Sequence, residues 1–407
     1  MRLGRTPFLR RLWLGVGLVL AFALTGCGSS GVKFNEFLPK RIIIIGDEIT
    51  YVGCNTATSN GQTVCAGADK FDRFSINSIS GSSALVNNWV VRLALNYGLT
   101  TDKIIEPTVT GNDVRAAKLG ARATPPAPPA ATPSWKSVSE QASLIPSYVT
   151  GDMVVVAGGA NDVLAVLKDP SIGLNSGTFK RGLTVALANE ILTKLGTSAI
   201  TQAQAYYIIA AAQSYQDIAL DLIRTKGQQN VFMAPVYDFS NSPDLSQFCS
   251  GCTVNQVKQG IALFNYILRL LTDDSFEPMV FTSGNPRILV SSGTSGYDLF
   301  YVNLPYFTTV LGSAVYNYDT THSVCGASST LTTPPTDLTG CTWNGLYATN
   351  DGVNPIFNGT TYASAPYPDY ITNQGKYIYA QNQYLTPVLH VIIGNTIAIF
   401  MRGYNGW

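Results

Sequence analysis

Arg41-Ile42-Ile43-Ile44-Ile45-Gly46-Asp47-Glu48-Ile49-Thr50 decides the fold of this chain. A continuous apolar run of this length reads as a strand buried on both faces. Gly46 ends the run and opens a tight turn. Buried strands of this kind belong to parallel sheets, and ligands in such sheets bind outside the carboxyl ends of the strands. The turn at 46–48 is therefore where chemistry is expected, and its third residue is a carboxylate, Glu48.

Working outward, Asp152-Met153-Val154-Val155-Val156-Ala157 repeats the pattern and ends at Gly158-Gly159. Ile104-Ile105, Val231-Phe232-Met233-Ala234 and Ile288-Leu289-Val290 predict further strands. Helical spacings lie between them. Trp89, Val90, Leu93, Ala94 and Tyr97 share one face and stop at Gly98. Ser139 to Tyr148 predicts a short helix, and residues 180–196 predict another. Ala205, Ile208, Ala212, Tyr215, Ala219 and Leu222 make a stripe over 201–226, closed by Gly227. Thr253 caps a helix with Val254, Val257, Ile261, Phe264, Leu268 and Leu271 on one face. Strands alternating with helices predict an α/β fold around a parallel sheet.

Three stretches resist this pattern. Residues 54–82 are rich in Gly, Ser, Asn and Thr and predict a loop excursion. Residues 124–133 hold five prolines and cannot be helix or central strand. Residues 297–380 are rich in Tyr, Asn, Thr, Gly and Pro and predict a long loop elaboration. The aromatics of this last stretch read either as a stacking platform or as ordinary packing.

At 407 residues the chain has room for one large domain or two ordinary ones. Its hydrophobic fraction of 46% supports a sizeable core. A formal charge of +1 gives no electrostatic case for a nucleic-acid partner.

The first residues read as a targeting segment. Arg2, Arg5, Arg10 and Arg11 form a basic stretch, and Leu12 to Leu24 an apolar one. Leu24-Thr25-Gly26-Cys27 then reads as a lipobox, similar to bacterial lipoprotein signals in which the cysteine is diacylated. A plain secretory signal is the alternative. Lipidation at Cys27 divides the chain into a signal at 1–26, a tether at 27–40 and a domain at 41–407. Removing 1–26 takes away four arginines and no acid, leaving a charge of −3. Gly28 rather than aspartate follows the cysteine, which in that pattern favours the outer membrane of a bacterial envelope.

Six further cysteines agree with export: Cys54, Cys65, Cys249, Cys252, Cys325 and Cys341. We favour pairing of neighbours, 54–65, 249–252 and 325–341, each across one local loop. Cys249-Ser250-Gly251-Cys252 also has half a zinc-site spacing, but no second such pair exists and the only histidines are His322 and His390. A disulfide is the expectation; neither metal nor cofactor is expected.

Four blocks in order resemble the SGNH, or GDSL, hydrolases. Ile45-Gly46-Asp47-Glu48-Ile49-Thr50 is similar to the block Gly-Asp-Ser-Leu/Ile-Ser/Thr. Leu119-Gly120-Ala121-Arg122 resembles the second block, and Gly159-Ala160-Asn161-Asp162 the third. The stretch Tyr379 to His390 resembles the fourth by spacing, where the family has Asp-x-x-His-Pro-Thr. The resemblance implies a three-layer, flavodoxin-like α/β/α sandwich with long disulfide-stapled loops. It puts Glu48 at the nucleophile position, Gln381 at the acid and Tyr384 at the base. Gly120 and Asn161 stand at the oxyanion donors.

That set cannot run serine chemistry. A serine attacks only after a base removes its proton and an acid orients that base. Glu48 is anionic and repels a developing oxyanion. A tyrosine with a pKa near ~10 is a poor base at neutral pH, and a glutamine cannot stabilise an imidazolium. Asn161 is expected to hydrogen-bond Glu48 and so plug the pocket. The expectation is an inactive, lipid-anchored envelope protein that binds an acyl, lipid or carbohydrate ligand or a protein partner. Its alternative is an active carboxylic-ester hydrolase with a displaced triad, using His390 as base for a relocated Ser or Thr; on a helix through Val391, Ile392, Ile393 and Ile397, His390 also reads as a packed core histidine. A carboxylate pair of Glu48 with Asp47 or Asp162 is a further alternative.

Overall fold

The computed structural model describes residues 37–52, 56–57, 63–64, 88–107, 118–123, 135–175, 179–180, 182–228, 230–272, 298–301, 321–323, 325 and 378–405. The signal and most of the tether, with Cys27, lie outside these residues. So do Cys54, Cys65, Cys341, residues 124–133 and the strand expected at 288–290. The chain divides into two compact units, Pro39–Phe400 and a second made of Met1–Leu38 with Met401–Trp407. The sheet and the candidate site both belong to Pro39–Phe400.

The strands are β1 (Arg41–Gly46), β2 (Thr56–Ala57), β3 (Thr63–Val64), β4 (Ile104–Ile105), β5 (Asp152–Ala157), β6 (Asn230–Ala234), β7 (Asp298–Tyr301), β8 (Tyr379–Gln381) and β9 (Tyr384–Leu385). The helices are α1 (Trp89–Asn96), α2 (Val138–Ser143), α3 (Ala160–Lys168), α4 (Val185–Leu195), α5 (Gln202–Arg224), α6 (Leu245–Phe248), α7 (Val254–Thr272) and α8 (Pro387–Asn405). Among the described residues no helix is long and apolar enough to cross a membrane.

Five strands form one parallel sheet in the order β4-β1-β5-β6-β7. Counted by appearance within the sheet, that order is 2-1-3-4-5. The winding therefore reverses between β1 and β5, which opens a crevice at their carboxyl ends. The α/β expectation holds.

β1 lies at the centre of this arrangement. Ile42 to Ile45 are wholly buried, each worth roughly 1.5–3 kcal/mol of apolar burial. Its register with β5 runs from Arg41 opposite Asp152 to Gly46 opposite Ala157. Arg41 locks the start: its Nε and Nη2 each donate to the Asp152 carboxylate at 2.8 Å. At the other end Gly46 must be glycine, because a Cβ there would overlap the Ala157 carbonyl oxygen.

β4 is too short to reach Gly46, pairing only with Ile42 and Ile43. A side chain replaces the missing strand. The buried amide of Gln141 accepts from Gly46 N at 3.0 Å and donates to Gly46 O at 2.8 Å. Asn265 of α7 treats Val236, just past β6, in the same way, at 2.9 and 2.7 Å. Each clasp satisfies a buried peptide that no ladder serves.

Most sequence-read elements stand within a few residues of expectation. α2 stops at Ser143, short of the expected Tyr148, since Pro146 disfavours helical backbone just before it. α3 follows Gly159 directly and was not anticipated. β7 falls inside 297–380, a stretch read as loop; four residues are too few for a period to show. The hairpin of β8 and β9 was also missed. Cys249 is bonded to Cys252, as expected. Cys325 is disulfide-bonded to a partner outside the described residues.

Candidate functional site

Both strand ends at the crevice carry a site residue. After β1, Asp47 caps a short turn of 3-10 helix, Glu48–Thr50, its Oδ1 accepting from Ile49 N at 3.3 Å. After β5, Gly159 takes φ +109 and starts α3, which places Asn161 in the first turn. A side chain at Gly158 would overlap the Tyr215 hydroxyl, and one at Gly159 the Phe264 ring. The double glycine thus lets α5 and α7 close against the turn.

Glu48 is only 3% exposed. Its Oε2 accepts from Gly120 N at 3.0 Å and from Asn161 Nδ2 at 2.7 Å. Its Oε1 accepts from the Tyr384 hydroxyl at 3.1 Å. Asn161 Nδ2 is held from behind by the Ala121 carbonyl at 3.2 Å. Glu48, Gly120, Asn161 and Tyr384, four positions distant in sequence, therefore converge. Gln381 lies on β8, 7% exposed and in register with Tyr384.

A buried ion pair positions Gly120. Lys118 and Glu106 meet at 2.9 Å with fully buried side chains. Lys118 Nζ also donates to Thr50 Oγ1 at 3.2 Å, and Glu106 Oε1 accepts from Val52 N at 3.1 Å. Segment 118–120 is thereby tied to the turn that bears Glu48. Another set positions Tyr384. Asn382, at φ 52, forms the hairpin turn. Asp244 accepts from Asn382 N at 3.0 Å, while Ser242 and Tyr237 donate to the Asn382 and Gln383 carbonyls. Sequence reading missed Lys118, Glu106, Tyr237 and Asp244; their spacing carries no signal.

Burial dominates the electrostatics. It pushes Glu48 above the ordinary carboxylate range, against the hydrogen bonds that stabilise its charge. Burial and then the Glu48 charge push Asp47 well up, and Asp47 Oδ2 is buried without a hydrogen-bond partner. Asp162 accepts from Ala123 N at 3.2 Å, yet burial raises it to about 7. The Tyr384 hydroxyl is driven up by burial and by Glu48, so it stays protonated and donates.

His390 is 3% exposed and its Nδ1 accepts from Trp89 N at 3.3 Å, serving the first turn of α1. That is a packing role, one of the two readings its position in α8 allowed. The apolar void it shares with Ile49, Tyr237 and Leu385 has a volume of ≈ 10 Å³, at the threshold for holding one water. His322 is half-buried, its Nδ1 3.0 Å from Thr321 Oγ1. Asp47 and Asp162 serve as cap and backbone acceptor. Among the described residues no group of His, Cys, Asp and Glu could hold a metal ion.

Two donors that point at one spot can stabilise a negative charge there. Here the spot is filled by the chain's own carboxylate. No protein-family model matches the chain, and no curated protein matches it.

Proposed function

We propose that this chain is an exported lipoprotein with an SGNH-hydrolase-like, three-layer fold that has no hydrolase activity and works by binding a ligand or partner at the bacterial envelope. The observation that carries this reading is the Glu48 carboxylate on the donors Gly120 N and Asn161 Nδ2. An incoming ester carbonyl would need those same donors. Glu48 occupies them, repels the charge that would develop, and offers no leaving proton to start the reaction. Tyr384 stands where a base is required, and its raised pKa makes it a donor instead.

The N-terminal basic stretch, apolar stretch and Cys27 support export and lipid anchoring at the outer membrane. Incorporation of a labelled fatty acid, lost in Cys27→Ser, checks that half. For the other half, the full chain in detergent is assayed against p-nitrophenyl acetate and butyrate. No turnover is expected. Turnover that disappears in Glu48→Ala would overturn the reading.

A further inference from the structure

Beside the filled donor pair lies a second cluster whose donors are only partly engaged among the described residues. Arg122 follows Gly120 by two residues and sits at the rim, half-buried. Its guanidinium carbon stands 5.3 Å from the centre of the Trp135 ring. One nitrogen, Nη1, donates to the Tyr207 hydroxyl at 3.3 Å. Among the described residues no carboxylate lies within ion-pair distance of this cation. Asp162 feels its charge, but burial raises Asp162 to about 7 and weakens any neutralisation. Trp135 borders Gly120, its Cδ1 3.6 Å from where a Cβ on that glycine would be. Trp135 is part-exposed, and Leu119, the residue before Gly120, is 46% exposed.

We propose that Arg122, Trp135 and Tyr207 form a binding site for a small carboxylate-bearing ligand, which rests on the non-catalytic reading of the neighbouring pocket. The Trp135 ring lies 5.3 Å from the guanidinium carbon and Nη1 is engaged by Tyr207, and a guanidinium carries five N–H donors in a planar fork. An edge of that fork matches a carboxylate two bonds to two. Trp135 and Leu119 supply apolar surface for the body attached to the acid, either a sugar ring or a short acyl chain. A single negative charge suits the site better than a phosphate. Glu48 is bound to Gly120 N, two residues from Arg122, and its charge repels a dianion more strongly than a monoanion.

Calorimetric titration of the full chain in detergent tests this. The probes are D-glucuronate, butyrate, D-glucose and inorganic phosphate. Saturable binding of glucuronate or butyrate is expected, with no binding of glucose. Glucuronate above butyrate identifies a sugar acid as the source; the reverse identifies an acyl acid. Arg122→Gln should weaken the preferred acid by about tenfold or more. Arg122→Lys keeps the charge but loses the fork and should fall between. Trp135→Phe should retain part of the affinity. Circular dichroism checks that each variant is folded, and Arg122→Lys keeps the test usable if Arg122→Gln is not.

Absence of binding by either acid overturns the proposal, as does binding undiminished in both Arg122 variants, or phosphate preferred over both acids. Ester hydrolysis measured on the same preparation separates the two ideas. Turnover without acid binding sinks both. Acid binding lost while the chain stays inactive sinks this site alone.

Discussion

Glu48 and Asn161, separated by 113 positions, meet at 2.7 Å through a carboxylate oxygen and an amide nitrogen. Gly120 N shares the same oxygen at 3.0 Å. A buried anion on two aimed donors is also the geometry that stabilises an oxyanion, except that here the anion is covalently part of the fold.

Replacing that anion separates its shape from its charge. Glu48→Gln can keep all three contacts: its amide oxygen faces Gly120 and Asn161, and its amide nitrogen faces the Tyr384 oxygen. Stability should change by about 1 kcal/mol or less. Glu48→Ala strands three donors and should lose about 2–3 kcal/mol. Added acetate should then raise the melting temperature of Glu48→Ala by more than it raises that of the parent. At a hundred times its dissociation constant the gain is about 2.7 kcal/mol. A flat acetate titration in Glu48→Ala would show that the donors do not act together.

The raised acids set the pH dependence. Folded Asp162 holds its proton to about pH 7, whereas an unfolded aspartate loses it near ~3.9. Between those values the folded state binds more protons, so stability falls as pH rises through the window. Asp47 and Glu48 are raised too and act in the same direction. Asp162→Asn should flatten the decline, by up to about 1.4 kcal/mol per pH unit between 4 and 7. Urea unfolding at pH 5, 6, 7 and 8 measures it. An unchanged slope would remove Asp162 from the account.

The pair Lys118–Glu106 is wholly buried, so cutting it on one side leaves an uncompensated charge. Lys118→Met should cost about 3–5 kcal/mol. Lys118→Met with Glu106→Gln should recover part of that, since the glutamine oxygen can still accept from Val52 N. Denaturant midpoints of the two variants decide the matter. Equal losses would mean that packing, not charge, sets the cost.

Gly158 faces the Tyr215 hydroxyl at contact. Gly158→Ala overpacks that junction and should cost about 1–3 kcal/mol. Adding Tyr215→Phe frees the space and should return some of it. Additive losses in the double variant would contradict a shared contact.

The sheet was legible because its strands are unbroken apolar runs. Ile42–Ile45 and Met153–Ala157 have one reading, burial on both faces, and both are wholly or almost wholly buried. The turns that bear Glu48 and Asn161 were legible as the carboxyl ends of two buried strands, whereas Gly120 was placed with them only by the resemblance of its block. Asn161 was expected to hold Glu48, and it does. What stayed hidden lacks a period. β7 and the β8–β9 hairpin are two to four residues long. Lys118 and Glu106 look like surface charges in the sequence, since their pairing depends on where two loops land. His390 admitted two readings, a base for a relocated serine or threonine and a packed core histidine, and the structure gives it a backbone amide to hold.

Gln141 supplies both bonds that a longer neighbouring strand would have given Gly46. The place where β1 stops is thus written into a residue 95 positions away and not into the segment directly after it. Insertions and deletions after residue 52 or 107 should therefore be tolerated without fraying the strand. Loss of that one amide should not be, whatever the length of the intervening chain.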